Sequence, residues 1–219
     1  MGIPVALYVP NLLGYARIML ALAGLHASIQ HPWTAFSLWI LSASLDLIDG
    51  ILARALKQTS KFGVLLDIGA DNILRSCVWV AAAVSNPAYL IPSTIILCLE
   101  WCTMLATQLH AEAHRSHWKN ARQKDPIFIQ AFFANNFRNP LGLLGIYGLF
   151  GGNILAYASS HTDLSEKLPC FGFFKYLAFA GRGIAMGIEL WMCSDYLSLV
   201  LRQDAGLEED TGQGHKKVS

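Results

Sequence analysis

Six apolar stretches, roughly residues 12–28, 33–55, 63–85, 88–108, 139–158 and 175–200, set the pattern of this 219-residue chain. Each is close to the about 20 residues that a helix needs to cross a bilayer. Only 14% of the residues are charged and 54% are hydrophobic, whereas soluble domains carry about 25% charged residues. Inside lipid a backbone must satisfy its own hydrogen bonds, which helices do. The expected fold is therefore an all-α membrane protein with six transmembrane helices. Pro4 and Pro10 bracket a short N-terminal interfacial segment at residues 2–9. The membrane domain is expected to span 1–201. A polar stretch at 202–219, containing Glu208, Glu209 and Asp210, reads as a disordered tail.

The basic residues test this count. Arg54, Lys57 and Lys61 flank the second link, and Arg115, Lys119, Arg122, Lys124 and Arg138 fall in the fourth. Arg202, Lys216 and Lys217 follow the last span, while the first and third links have no Lys or Arg. Basic residues thus favour alternate links, which places both termini and the second and fourth links in the cytosol. The fourth link, about 109–138, reads as an amphipathic surface segment, with His110, His114 and His117 on a solvated face rather than on a metal. The net charge of +1 comes without a basic stripe, so nucleic acid is not an expected partner. The five cysteines form no disulfide framework and read as packing residues. The ending Lys216-Lys217-Val218-Ser219 resembles the dilysine retrieval signal of endoplasmic-reticulum membrane proteins.

Between Ser44 and Arg75 the chain sets four carboxylates in apolar surroundings. Each such group costs about 2.5–3.5 kcal/mol to insert, so they call for a cation or a water-filled cavity. Asp46 and Asp49 are three apart and share a helix face, as Asp67 and Asp71 do at a spacing of four. An antiparallel hairpin of the second and third spans would bring all four together. Ligand sets made only of oxygen suit Mg²⁺, Mn²⁺ or Ca²⁺ rather than zinc, and paired metals on shared carboxylates serve phosphoryl displacement. Gly50, Gly63 and Gly69 clear space near these acids, and Arg54 can bind phosphate oxygens in bidentate fashion. The plainer alternative pairs the acids with Arg54, Lys57, Lys61 and Arg75 near the loops.

Asp46-Leu-Ile-Asp49-Gly50-Ile-Leu-Ala53-Arg54, followed by Gly63, Asp67 and Asp71 at their spacing, resembles the signature of the CDP-alcohol phosphatidyltransferases at every fixed position. The flanking Val9-Pro10-Asn11-Leu12-Leu13-Gly14-Tyr15-Ala16-Arg17-Ile18 looks like the inositol-using eukaryotic branch of that family, and the likeness is clear over about residues 5–75. The resemblance implies a six-helix fold, usually a homodimer, with its site open to the cytosol. It implies transfer of a phosphatidyl group from CDP-diacylglycerol to an alcohol, here myo-inositol, with release of CMP. Carried onto this chain, it makes Asp46, Asp49 and Asp67 metal ligands and Asp71 both a ligand and the base. Gly50, Arg54 and Ser60 would contact the nucleotide end of the donor. The metals would be Mg²⁺ or Mn²⁺ in a two-metal site. That branch usually has a basic residue after the last aspartate, where this chain has Asn72, with Arg75 one turn on. The departure bears on the acceptor, for which glycerol 3-phosphate and serine are alternatives. Glu100 and Arg138 either line the acceptor pocket or serve as a salt bridge and an interface residue. Arg182, Glu189 and Asp195 form an unassigned polar stripe in the last span. Two readings outside the reaction class are a divalent-cation transporter and a non-catalytic CDP-lipid-binding paralogue.

Overall fold

The computed structural model describes residues 4–114, 125–167 and 169–205. Among them are eight α-helices and no strand. A 3₁₀ turn at Val5–Leu7 precedes α1 (Val9–Ala27), α2 (Pro32–Ala55) and α3 (Lys61–Ser85). After a second 3₁₀ turn at Pro87–Tyr89 come α4 (Leu90–His114), α5 (Ile127–Phe133), α6 (Pro140–Ser159), α7 (Thr162–Lys167) and α8 (Phe171–Asp204). The long helices α1, α2, α3, α4, α6 and α8 fall on the six apolar stretches of the sequence. Four helical segments, Pro32–Ala55, Pro87–Leu109, Pro140–Ser159 and Phe171–Asp204, are long and apolar enough to cross a membrane. The other two, α1 and α3, carry Asn11, Arg17, Asp67, Asp71 and Arg75, which dilute their hydropathy.

Local chemistry explains where the helices start. Proline opens α1, α2 and α6 in the first turn, where its missing N–H costs nothing. Ser60 caps α3 by accepting the Gly63 N–H at 2.9 Å, and Asn139 caps α6 by accepting the Gly142 N–H at 2.8 Å. Lys57 takes a left-handed conformation, φ 54°, in the tight turn between α2 and α3. The last helix runs to Asp204, past the boundary at 201 set by hydropathy. Most of the tail, with its Lys216-Lys217 ending, lies outside the described residues, as do the side chains of His110 and His114 and all of His117. Within the fourth link, α5 turns Ile129, Phe132 and Phe133 inward and leaves Ile127 and Phe128 exposed.

Large apolar side chains such as Met19, Leu47, Ile51, Ile91, Leu105 and Leu190 lie on the outside, the pattern of a protein solvated by lipid. Apolar residues gain little by leaving lipid for protein, so association rests on close packing and polar contacts. Trp39 and Tyr157 are fully buried and meet edge to face at 4.9 Å. The Trp39 indole donates to the Ala21 carbonyl at 3.1 Å and the Tyr157 hydroxyl to the Ser28 carbonyl at 2.7 Å, tying α1, α2 and α6 together. The α6–α8 crossing is closer still. A Cβ on Gly148 would strike the Arg182 backbone nitrogen, and one on Gly181 the Leu144 carbonyl. All five cysteines are free.

The crossing yields a contrast. Gly148→Leu should lower the detergent melting temperature by about 5–10 °C, from an overpacking cost of about 1–3 kcal/mol. Gly187→Ala, which meets only open space, should leave it unchanged. Equal effects of the two would contradict this packing.

Candidate active site

The four aspartates do converge, but not through a direct hairpin. α1 packs against both α2 and α3, whereas α2 and α3 touch at few places. The helix between them supplies the bridging group. Arg17, buried to 1% exposure, holds Asp49 Oδ2 at 2.8 Å and Asp67 Oδ1 at 2.6 Å through Nη1. Its Nη2 lies 2.8 Å from Asp46 Oδ1 and also bonds Asp71 Oδ1. The Ser42 hydroxyl donates to the Arg17 carbonyl at 3.0 Å and fixes that turn of α1 on α2. Of the basic partners expected near the loops, Arg75 reaches Asp71, at 3.8 Å, and among the described residues no acid pairs with Arg54.

Asp46, Asp49 and Asp67 each offer a carboxylate oxygen within 4.8 Å of the others. An all-oxygen cluster of this kind fits a hard divalent cation. Arg17, with Arg75 at the edge on Asp71, faces four carboxylates and leaves negative charge for such an ion to neutralise. Asp71 joins the cluster through Arg17 but stands outside the group of three.

Two cavities flank the cluster. The first, about 190 Å³, lies between the start of α1, the end of α2 and the start of α3. Gly50, Arg54 and Ser60, singled out from the sequence, all line it, together with Asp49, Asp67, Asn11 and Gln58. Arg54 extends over Gly50, its nitrogens 3.6 and 3.8 Å from where a Cβ would sit. A Cβ on Gly63 would come 2.9 Å from Asn11 Oδ1, so this glycine serves the α1–α3 contact, while Gly69 meets nothing within 4 Å. The second cavity, about 270 Å³, opens on the other side, bounded by α3, α4, α5, α6 and α8. Asp67, Asp71, Asn72, Arg75, Glu100 and Glu189 supply its charged and amide groups, and Phe132, Phe133, Phe137 and Phe150 much of its apolar wall. Glu100 therefore lines a cavity, whereas Arg138 and Asp195 line neither. Asp67 lines both.

Sequence reasoning gave no role to Arg17, Asn11 or Gln58. Arg17 had a usable signal, being a lone arginine in an apolar run, but its partners lie 29–54 positions away in the chain. Gln58 accepts the Val9 N–H at 2.9 Å and closes the first cavity on one side.

Helices of spanning length around a half-buried carboxylate cluster define an integral membrane protein with a polar site between its helices. Residues 7–150 match the profile of the CDP-alcohol phosphatidyltransferases, and the chain belongs to that family. Its curated relatives include CDP-diacylglycerol–inositol 3-phosphatidyltransferases. The rat protein is 43% identical over 81 residues, 37% of this chain and 38% of the relative. The Schizosaccharomyces pombe protein is 30% identical over 132 residues, 59% of this chain and 55% of the relative. A CDP-diacylglycerol–glycerol-3-phosphate 3-phosphatidyltransferase of Cereibacter sphaeroides is 36% identical over 100 residues, 42% of this chain and 45% of the relative. The chain thus aligns with little more than a third of the rat relative's length and just over half of the yeast one's. No solved structure matches.

Removing one partner of a buried ion pair costs about 3–5 kcal/mol. Arg17→Met should therefore lower the melting temperature sharply in EDTA and less in millimolar Mg²⁺, which supplies replacement charge. The same loss in both buffers would mean that Arg17 acts by packing rather than by charge.

Proposed function

We propose that this chain transfers a phosphatidyl group from CDP-diacylglycerol to myo-inositol, giving phosphatidylinositol and CMP. The observation that carries this reading is Asp67, the shared wall of two cavities that meet at the aspartate cluster. One cavity suits a donor and the other an acceptor, with the reacting phosphorus between them. The similarity to inositol-transferring relatives supports the choice of alcohol.

In this reading Asp46, Asp49, Asp67 and Asp71 hold Mg²⁺ or Mn²⁺ in a two-metal site. When bound, divalent cations there would neutralise the donor diphosphate and the charge that develops on the leaving CMP. Gly50, Arg54 and Ser60 receive the nucleotide end of the donor in the first cavity. Arg54 donates to phosphate oxygens, and the absent side chain of Gly50 leaves room for them. Ser60 Oγ already caps α3 and has its second lone pair left for the ligand. Asp71, on the wall of the second cavity, takes the proton from the acceptor hydroxyl as its oxygen attacks phosphorus. The new bond is acceptor oxygen to phosphorus, and the bond to CMP breaks.

With α1 and α3 crossing alongside the four apolar segments, the protein spans the membrane six times. The basic α2–α3 link adjoins the first cavity, so the site and both termini face the cytosol. The endoplasmic reticulum is the proposed membrane and a homodimer the proposed state. A second reading keeps the reaction and changes the acceptor to glycerol 3-phosphate, on the strength of the Cereibacter similarity.

The test is CMP release by the purified protein with CDP-diacylglycerol and Mg²⁺ or Mn²⁺, comparing myo-inositol, glycerol 3-phosphate, serine and no acceptor. Release should depend on inositol, vanish in EDTA and return with the metal. Asp71→Asn should lower the rate about 10²–10⁴-fold. Release with none of the alcohols would sink the proposal.

A further inference from the structure

We infer that Glu100 and Glu189, held by the buried positioning residue Arg182, select an uncharged polyhydroxy acceptor in the second cavity and reject phosphorylated ones. The inference rests on the reading of that cavity as the acceptor site and adds what it recognises.

Four carboxylates line the cavity, from Asp67, Asp71, Glu100 and Glu189, against one guanidinium, from Arg75, among the described residues. Arg75 is committed on every side. Its Nε donates to Glu100 Oε2 at 3.1 Å, its Nη2 bonds Asn72 Oδ1 and its Nη1 lies 3.8 Å from Asp71 Oδ2. Its guanidinium also sits over the Phe150 ring, 5.3 Å from the centroid. No free cation remains among these residues to meet a phosphate, and on the side away from the aspartate cluster an anion would meet the carboxylates of Glu100 and Glu189. Carboxylate oxygens accept hydrogen bonds and donate none, so they suit donors such as the hydroxyls of a polyol and offer nothing to the acceptor oxygens of a phosphate.

Arg182 does not reach the cavity wall. It sits at the tight α6–α8 crossing with 3% exposure, and its Nη2 lies 2.9 Å from Glu189 Oε2 and 3.3 Å from Glu100 Oε1. Its Nε and Nη1 are buried without a hydrogen-bond partner. A buried arginine that leaves two nitrogens unsatisfied is a poor stabiliser, and well-packed apolar residues would serve the crossing better. What Arg182 does achieve is to bind Glu100 on α4 and Glu189 on α8 at once. Glu189 Oε1 stays without a partner among the described residues, open to an incoming hydroxyl.

The experiment uses the full chain in detergent with CDP-diacylglycerol and Mn²⁺. Turnover and thermal shift are both read for myo-inositol and for glycerol 3-phosphate. Glu189→Gln and Arg182→Met should raise KM for inositol about tenfold while KM for CDP-diacylglycerol stays within about twofold. Arg182→Lys should recover part of the loss. Inositol should stabilise the wild type and not Glu189→Gln, while CDP-diacylglycerol stabilises both and shows that the variant is folded. Glycerol 3-phosphate should neither react nor stabilise. An unchanged inositol KM in Glu189→Gln, or equal use of glycerol 3-phosphate, overturns the inference and leaves phosphatidyl transfer intact. Absence of turnover with selective inositol stabilisation overturns the transfer reading and supports this one. No stabilisation by inositol and no turnover overturns both.

Discussion

The Arg17 guanidinium is the point on which the arrangement of the first three helices depends. Four carboxylates from two helices would repel one another in a low-dielectric setting. A single planar cation on a third helix faces all four through two nitrogens. That requirement explains why α1 lies between α2 and α3 instead of at the edge of the bundle. It also explains why Arg17 is more deeply buried than any of its partners. The charge it brings is too small for the acids it meets. The cluster therefore stays both assembled and cation-seeking, as a site for a doubly charged ion must be.

From Arg17 the ion pairs continue without a break through Asp71, Arg75, Glu100 and Arg182 to Glu189. The chain of charges links α1, α3, α4 and α8. Helices in lipid are not sorted by the hydrophobic effect, so a connected polar network is one of the few devices that can specify a single arrangement. The network also joins the two cavities. The group proposed to take the acceptor proton, Asp71, touches Arg17 on the cluster side and Arg75 on the acceptor side.

Periodicity carried much of this into the sequence. Spacings of three and four put each aspartate pair on one helix face, and the six long helices occupy the six apolar stretches. Gly50, Arg54 and Ser60 were brought together by the family resemblance, and they line one cavity because they lie in a short segment that turns at Lys57. The role of Arg17 was not, since a helical pattern shows which face a residue occupies and nothing of what lies opposite. The same limit hid the partners of Glu100, a residue singled out as a pocket or salt-bridge group, which meets Arg75 and Arg182 from different helices. Arg182 and Glu189 share a face at a spacing of seven, and that much of the polar stripe was readable. The meeting of Gly148 and Gly181 was hidden as well. Both helices are rich in small residues, and only the crossing reveals which pair is in contact.

The two long helices that fall short of the apolarity of a membrane span are α1 and α3, and these carry Arg17, Asp67, Asp71 and Arg75. Their hydropathy is diluted by the same charged groups that converge at the cluster. Each helix alone would present uncompensated charge to lipid. Packed together, they turn that charge inward and pair it. Asp46 and Asp49 of α2 complete the pairing from a helix that is apolar enough to cross by itself. In the proposed six-span arrangement the stability of α1 and α3 is therefore a property of the cluster. A substitution that removes one of its charges should be felt in helix placement as well as in chemistry.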